Sequence, residues 1–302
     1  MKKHIAVILT LMATSVVAGC GGSGTNSMMS PQGGSTSSIS GKVADGYLVG
    51  ATVFLDKNGN YQMDSGEPSA TTDQNGAYIL NVNPADIGKY PIVAIATKGV
   101  TVDKDTGTTV QNSYVLSMPA TAVTGIVNSN FISPMSTLIR EKMATNPSIT
   151  MADAKTQLRN QMNLPDGIDM MADYVAGSQT GTSTAQYQTM HTAAQQMVGV
   201  MGSQMVQVMT GNNLIVGRYR SMMGTINSNM SAIASNVMNG QGMYSTFMTT
   251  MMNQMQTQLG TMPVSSGFIN YSGMFRNMTS HSNFWSNTGT PMSPMSGSMM
   301  IK

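Results

Sequence analysis

Residues 56–67 read Asp-Lys-Asn-Gly-Asn-Tyr-Gln-Met-Asp-Ser-Gly-Glu, with oxygen side chains at loop positions one, three, five, nine and twelve: Asp56, Asn58, Asn60, Asp64 and Glu67. A hard cation such as calcium gathers six to eight oxygens on one short turn, and this spacing supplies them. The spacing therefore predicts a calcium site. With only three carboxylates its affinity is expected in the weak, extracellular range of ~10⁻⁴–10⁻³ M. Tyr61 departs from the pattern, because it stands where such loops place glycine for a sharp turn.

Sulfur offers a second chemistry. The chain holds 33 methionines, and thioethers are soft ligands that suit Cu(I) or Ag(I). Met197, Met201, Met205 and Met209 lie four apart, Met248, Met251, Met252 and Met255 cluster more tightly, and Met292, Met295, Met299 and Met300 sit near the C-terminus. A methionine stripe at helical spacing is first of all a core, since Met fills irregular interiors and favours helices.

Catalysis finds little support. Past residue 19 there are two histidines, His191 and His281, in a stretch from Tyr174 to Lys302 with no Asp or Glu. Neither has a carboxylate nearby in sequence, so His191 is expected on a helix surface. His-Glu-x-x-His, Gly-x-Ser-x-Gly, P-loop and Cys-x-x-Cys-His motifs are all missing, and the chain reads as non-enzymatic.

Lys2 and Lys3 precede a short apolar run at 5–17, a secretion signal too short to span a bilayer, where about 20 apolar residues are needed. It ends in Val17-Ala18-Gly19-Cys20, which resembles the lipobox of bacterial lipoproteins. The resemblance implies that Cys20 becomes the lipidated first residue and anchors the protein to a membrane. Cys20 is the only cysteine, so it cannot form an internal disulfide. Gly21 follows it rather than an inner-membrane retention aspartate, which favours the outer membrane, lipid-anchored and facing the periplasm or the cell surface. Losing residues 1–19 takes Lys+Arg from 15 to 13 against Asp+Glu 13, and a neutral chain argues against nucleic acid as a partner.

The elements that must position these groups follow in order. Residues 20–37 are a Gly/Ser/Thr/Asn tether reaching on the order of 20 Å. Short Val/Ile/Leu/Tyr-rich runs at 38–44, 51–56, 77–82, 91–97 and 113–118, separated by Asp45-Gly46, the 56–67 loop, Asn75-Gly76 and Asp105-Thr106-Gly107, predict a β-sandwich over 38–120. Asp73 is expected to shape its turn, and Asp103 and Asp105 a hairpin. Over 131–262 the period becomes helical. Ser133-Pro134 opens one helix, Thr150 caps a second, and three more follow between 184 and 262, one of them running through Met222, Ile226, Met230, Ile233 and Val237. Residues 263–302 read as a loosely ordered tail. The fold class expected is multidomain β + α: an N-terminal Ig-like or prealbumin-like sandwich, then a C-terminal antiparallel helical bundle.

The run Val43-Ala44-Asp45-Gly46-Tyr47-Leu48-Val49-Gly50-Ala51-Thr52-Val53-Phe54-Leu55-Asp56, followed by Thr71-Thr72-Asp73-Gln74-Asn75-Gly76-Ala77-Tyr78, resembles the calcium-binding B-type repeat of Gram-positive surface adhesins and the carboxypeptidase-regulatory-type sandwiches. The resemblance covers about a quarter of the chain. It implies structural calcium held by Asp56, Asn58, Asn60, Gln62, Asp64 and Glu67 in a stiff surface module. Phe131-Ile132-Ser133-Pro134-Met135-Ser136-Thr137-Leu138-Ile139 resembles the segment that follows such sandwiches in bacterial surface lipoproteins. Together these readings predict a surface or periplasm-facing lipoprotein. It would present a Met-rich helical domain for adhesion or assembly, with a surface protein or polysaccharide as partner. Envelope binding of Cu(I) or Ag(I) is the alternative.

Overall fold

The computed structural model describes residues 36–210 and 213–264. The signal segment, Cys20, most of the tether, His281 and nearly all of the tail with its methionines lie outside the described residues. Ten strands come first: β1 (Ser37–Val43), β2 (Leu48–Val49), β3 (Thr52–Leu55), β4 (Ser69–Thr71), β5 (Ala77–Val82), β6 (Ile92–Ala96), β7 (Val102–Asp103), β8 (Thr108–Thr109), β9 (Tyr114–Met118) and β10 (Asn130–Ile132). They form sheets in the orders β4-β3-β6-β9, β10-β1-β5 and β2-β7-β8, a sandwich-like arrangement. The five strands expected from the short Val/Ile/Leu/Tyr-rich runs are β1, β3, β5, β6 and β9. Along β5 alternation is plain: Tyr78, Leu80 and Val82 are buried while Ile79 and Asn81 face out.

The turns behave as their chemistry dictates. Asp73 Oδ1 accepts from the backbone N–H groups of Asn75 and Ala77 and lets Gly76 take a left-handed φ of 70°. These bonds, from Ala77 first and then Asn75, hold the Asp73 carboxyl below its ordinary value. Asp103 and Asp105 shape the β7–β8 hairpin, with the Asp105 N–H donating to Asp103 Oδ1 at 2.9 Å.

Strand β10 has no alternation to announce it, because all three of its residues are buried. It pairs parallel to β1, Gly41 opposite Asn130, so the sheet continues past residue 120 and runs directly into the first helix. A Cβ at Gly41 would overlap the Asn130 carbonyl, so only glycine permits this approach.

Among the described residues the helices are α1 (Pro134–Thr145), α2 (Met151–Gln161), α3 (Tyr174–Gly177), α4 (Thr184–Val208), α5 (Val216–Ser228), α6 (Met230–Met238) and α7 (Thr246–Thr261), with a small hairpin, β11 (Met209–Thr210) and β12 (Asn213–Leu214), between α4 and α5. Ser133 caps α1 in a reciprocal capping box with Ser136, and Pro134 fills the first turn. Thr150 caps α2 through Asp153 N–H. One expectation fails here. The stripe from Met222 to Val237 is two helices, because the backbone leaves helical geometry at Asn229 (φ −98°, ψ 6°), which ends α5 and starts α6. The stripe keeps its spacing across this break, so periodicity alone could not reveal it.

Helix α1 packs on β9 and also touches α2, α4 and α5, while α4 carries α3, α6 and α7. Strands and helices thus share one compact unit. The methionine stripes face inward: Met190, Met197, Met201, Met222, Met223, Met230 and Met248 have no exposed surface. Burying each contributes roughly 1.5–3 kcal/mol by transfer.

Candidate metal loop and the buried ion cluster behind it

The loop between β3 and β4 is held by its own side chains. Asp56 Oδ1 accepts from the N–H groups of Gly59 and Asn60, and Oδ2 from that of Tyr61. Asn58 Oδ1 accepts from Asn60 N–H at 3.1 Å, and Asn60 Oδ1 from Gln62 N–H at 2.8 Å. Glu67 closes the loop by accepting from Lys57 N–H at 2.7 Å and Asp64 N–H at 3.0 Å. The side-chain amides of Asn58 and Asn60 both donate to Asp64 Oδ2, each at 2.7 Å.

Residues 58, 60 and 64 therefore do converge, through amide-to-carboxylate hydrogen bonds. As arranged, two amide N–H groups take the place of a cation against Asp64. A metal there would require both amides to turn their oxygens inward and give up their own backbone bonds. Asp56 also differs from a simple ligand, because Arg140 Nη2 donates to its Oδ2 at 2.9 Å. This pairing lowers the negative charge that the loop offers.

Tyr61 adopts the left-handed conformation that the glycine position demands, with φ 62°. For a residue with a side chain this costs roughly 1–3 kcal/mol. Its surroundings hold it there. The ring is buried, stacks tilted on Tyr219 at 5.0 Å and lies under the Arg140 guanidinium at 4.1 Å. Its hydroxyl donates to Glu141 Oε1 at 2.5 Å. Arg220 Nε lies 4.0 Å from Glu141 Oε2, too far to hydrogen-bond.

Asp56, Arg140 and Glu141 are all buried, so a cluster of charges sits between the sandwich loop and helices α1 and α5. Burial raises the Glu141 carboxyl, and Arg140, the Tyr61 hydroxyl and Arg220 only partly offset this. Burial also pulls the Arg140 guanidinium down, but Tyr61, Glu141 and Asp56 more than compensate and leave it raised. Sequence reasoning missed the cluster. The available signal was an adjacent Arg-Glu pair directly after the apolar Leu138-Ile139.

A second polar cluster lies where the β7–β8 hairpin meets α4. His191 is not on the helix surface as expected. It is buried, with Nε2 2.6 Å from Asp105 Oδ2, because the hairpin tip folds back on α4. Gln195, one turn on, donates to the same oxygen at 2.8 Å. The His191 bond, against the effect of burial and helped by Gln195, holds the Asp105 carboxyl below its usual range.

Asp45 lies close by, buried, and accepts from the Tyr114 hydroxyl at 3.0 Å. Burial first, then the charge of Asp103, pushes its carboxyl up to about 8. Gly46 allows this crowding, since any side chain there would collide with Asp103 and Asp105. Among the described residues no hydroxyl hydrogen-bonds to His191; its ring partner is Asp105.

Among the described residues, no three acidic or histidine side chains gather at metal-ligand spacing, and no helix is long and apolar enough to cross a membrane. No protein-family model, curated protein or solved structure matches this chain.

Proposed function

We propose that this chain is a non-enzymatic, lipid-anchored protein of the bacterial cell envelope, held at the outer membrane through Cys20. Its β-part is an Ig-like or prealbumin-like sandwich that takes structural calcium in the 56–67 loop. Its helices form an antiparallel Met-rich bundle that meets a surface protein or polysaccharide in adhesion or assembly. The observation that carries this reading is the placement of the loop. Asp56 reaches Arg140 and Tyr61 reaches Glu141, so the loop stiffens the junction between sandwich and helices. A cation bridging Asn58, Asn60, Asp64 and Glu67 would tighten that junction, which is the property a presenting surface module needs.

The test uses the whole mature chain. At 10 mM calcium and a Kd of ~10⁻⁴–10⁻³ M, mass action stabilises the folded state by about 1.4–2.7 kcal/mol. That corresponds to a rise in Tm of roughly 3–10 °C for a chain of this size. Asp64→Asn, at an exposed position, should remove the rise without unfolding the protein. An unchanged Tm for the parent chain in calcium would refute the metal role. Metabolic labelling with palmitate, lost in Cys20→Ala, tests the anchor separately.

A further inference from the structure

Beneath the 56–67 loop lies a cavity of about 450 Å³. Three methionines line it, and they come from three separate segments: Met63 from the loop, Met205 from the last turn of α4 and Met209 from the first position of β11. Their burial is graded. Met205 is 6% exposed, Met209 is half-buried and Met63, at 52% exposed, stands at the mouth. Ile95, Val115 and Leu214 supply apolar wall.

Among the described residues lining this cavity there is no Asp, Glu, His, Lys or Arg. A hard divalent ion entering it would lose its water and gain only neutral oxygens and sulfurs, which such ions do not repay. An anion would find no positive charge. A soft monovalent cation is different. It is weakly hydrated and prefers polarisable sulfur, and thioethers need no deprotonation to bind it. Methionine is common in this chain, so one thioether beside a cavity would mean little. Here one exposed methionine from the loop faces a cavity that the end of a buried methionine stripe also reaches.

We propose that Met63, Met205 and Met209 form a binding site for a soft monovalent metal ion, Cu(I) or Ag(I). Met63 acts as the solvent-side ligand that captures the ion, and the two more buried sulfurs complete the set. The site goes beyond the envelope-protein reading and does not depend on calcium or on the lipid. It involves no electron transfer, since the ion enters and leaves in the +1 state.

The test titrates Ag(I), a redox-inert probe, into the full chain carrying Cys20→Ser, which removes the only thiol. Methionine methyl resonances are followed by NMR, and affinity is measured by competition with a chelator. The first equivalent should shift three methyl signals that are absent from Met63→Leu/Met205→Leu/Met209→Leu. That variant should bind at least about tenfold more weakly, since losing even a group that only supports a metal ligand weakens binding on that scale. Leu for Met costs little in packing, so the variant should fold, and Met63→Leu alone offers a fully safe single change. Met248→Leu/Met255→Leu, in another part of the core, should leave binding unchanged. If the first equivalent instead shifts Met292, Met295, Met299 and Met300, or if the triple variant binds as tightly as its parent, the site is overturned.

Discussion

Replacing Asp45 by asparagine should make the protein much less sensitive to alkaline pH. Asp45 is buried, its Oδ2 accepts from Tyr114, and its Oδ1 has no hydrogen-bond partner among the described residues. Burial and the neighbouring Asp103 lift its carboxyl from 3.8 to about 8. The folded chain therefore keeps this proton over a range in which the unfolded chain has lost it. Because the folded state binds more protons, stability falls as pH rises from about 4 to about 8.

Each pH unit in that window removes about 1.4 kcal/mol, so between pH 5 and pH 8 the parent should lose roughly 4 kcal/mol through this one group. The amide that Asp45→Asn introduces keeps the shape and a donor but cannot ionise. Asp103, Asp105, Tyr114 and Tyr174 also face the cluster and are present in both proteins, so the difference between the two reports chiefly on Asp45. Urea denaturation at half-unit steps from about pH 5 to about pH 8.5 is the assay, with Tm as a check. The variant should overtake the parent by several kcal/mol at the alkaline end, about 10 °C in Tm. Parallel stability curves for the two proteins would show that Asp45 is not buried as described.

The ion cluster behind the loop gives two further expectations. Arg140→Met leaves Asp56 and Glu141 buried without their main counter-charge and should cost about 3–5 kcal/mol in urea denaturation, far more than removal of an exposed pair such as Arg159–Asp166. Tyr61→Gly relieves the left-handed backbone but deletes a buried ring and the Glu141 bond. The loss of roughly 3–5 kcal/mol on deleting a large side chain should outweigh a gain of about 1–3, so the protein becomes less stable even though glycine suits the turn better.

How much the sequence tells depends on the range over which each feature is decided. The Ser133-Pro134 helix start, the Asp73 turn and the β5 alternation are local, and each is readable from a few residues. The inward methionine stripes follow from the same short-range periodicity. The Asp56–Arg140 and His191–Asp105 contacts join residues 84 and 86 positions apart, and no local pattern chooses which distant partner a buried charge will meet. Strand β10 was hidden for a related reason: with every side chain buried it lacks the polar-apolar alternation that marks a half-exposed strand. Tyr61 is the instructive case. Propensity counts it against a left-handed turn, yet the packing around its ring reverses that preference.

The parallel pairing of β10 with β1 also fixes an order of assembly. A chain synthesised N-terminus first carries β1 long before residue 130 exists to close its edge. During that interval Asp56 has no Arg140 to meet. The sandwich half is left with an open strand edge and a carboxylate that is costly to bury, so it should mature only after α1 has emerged. Truncations ending near residue 120 should then yield an aggregation-prone species with an unpaired edge rather than a smaller stable domain.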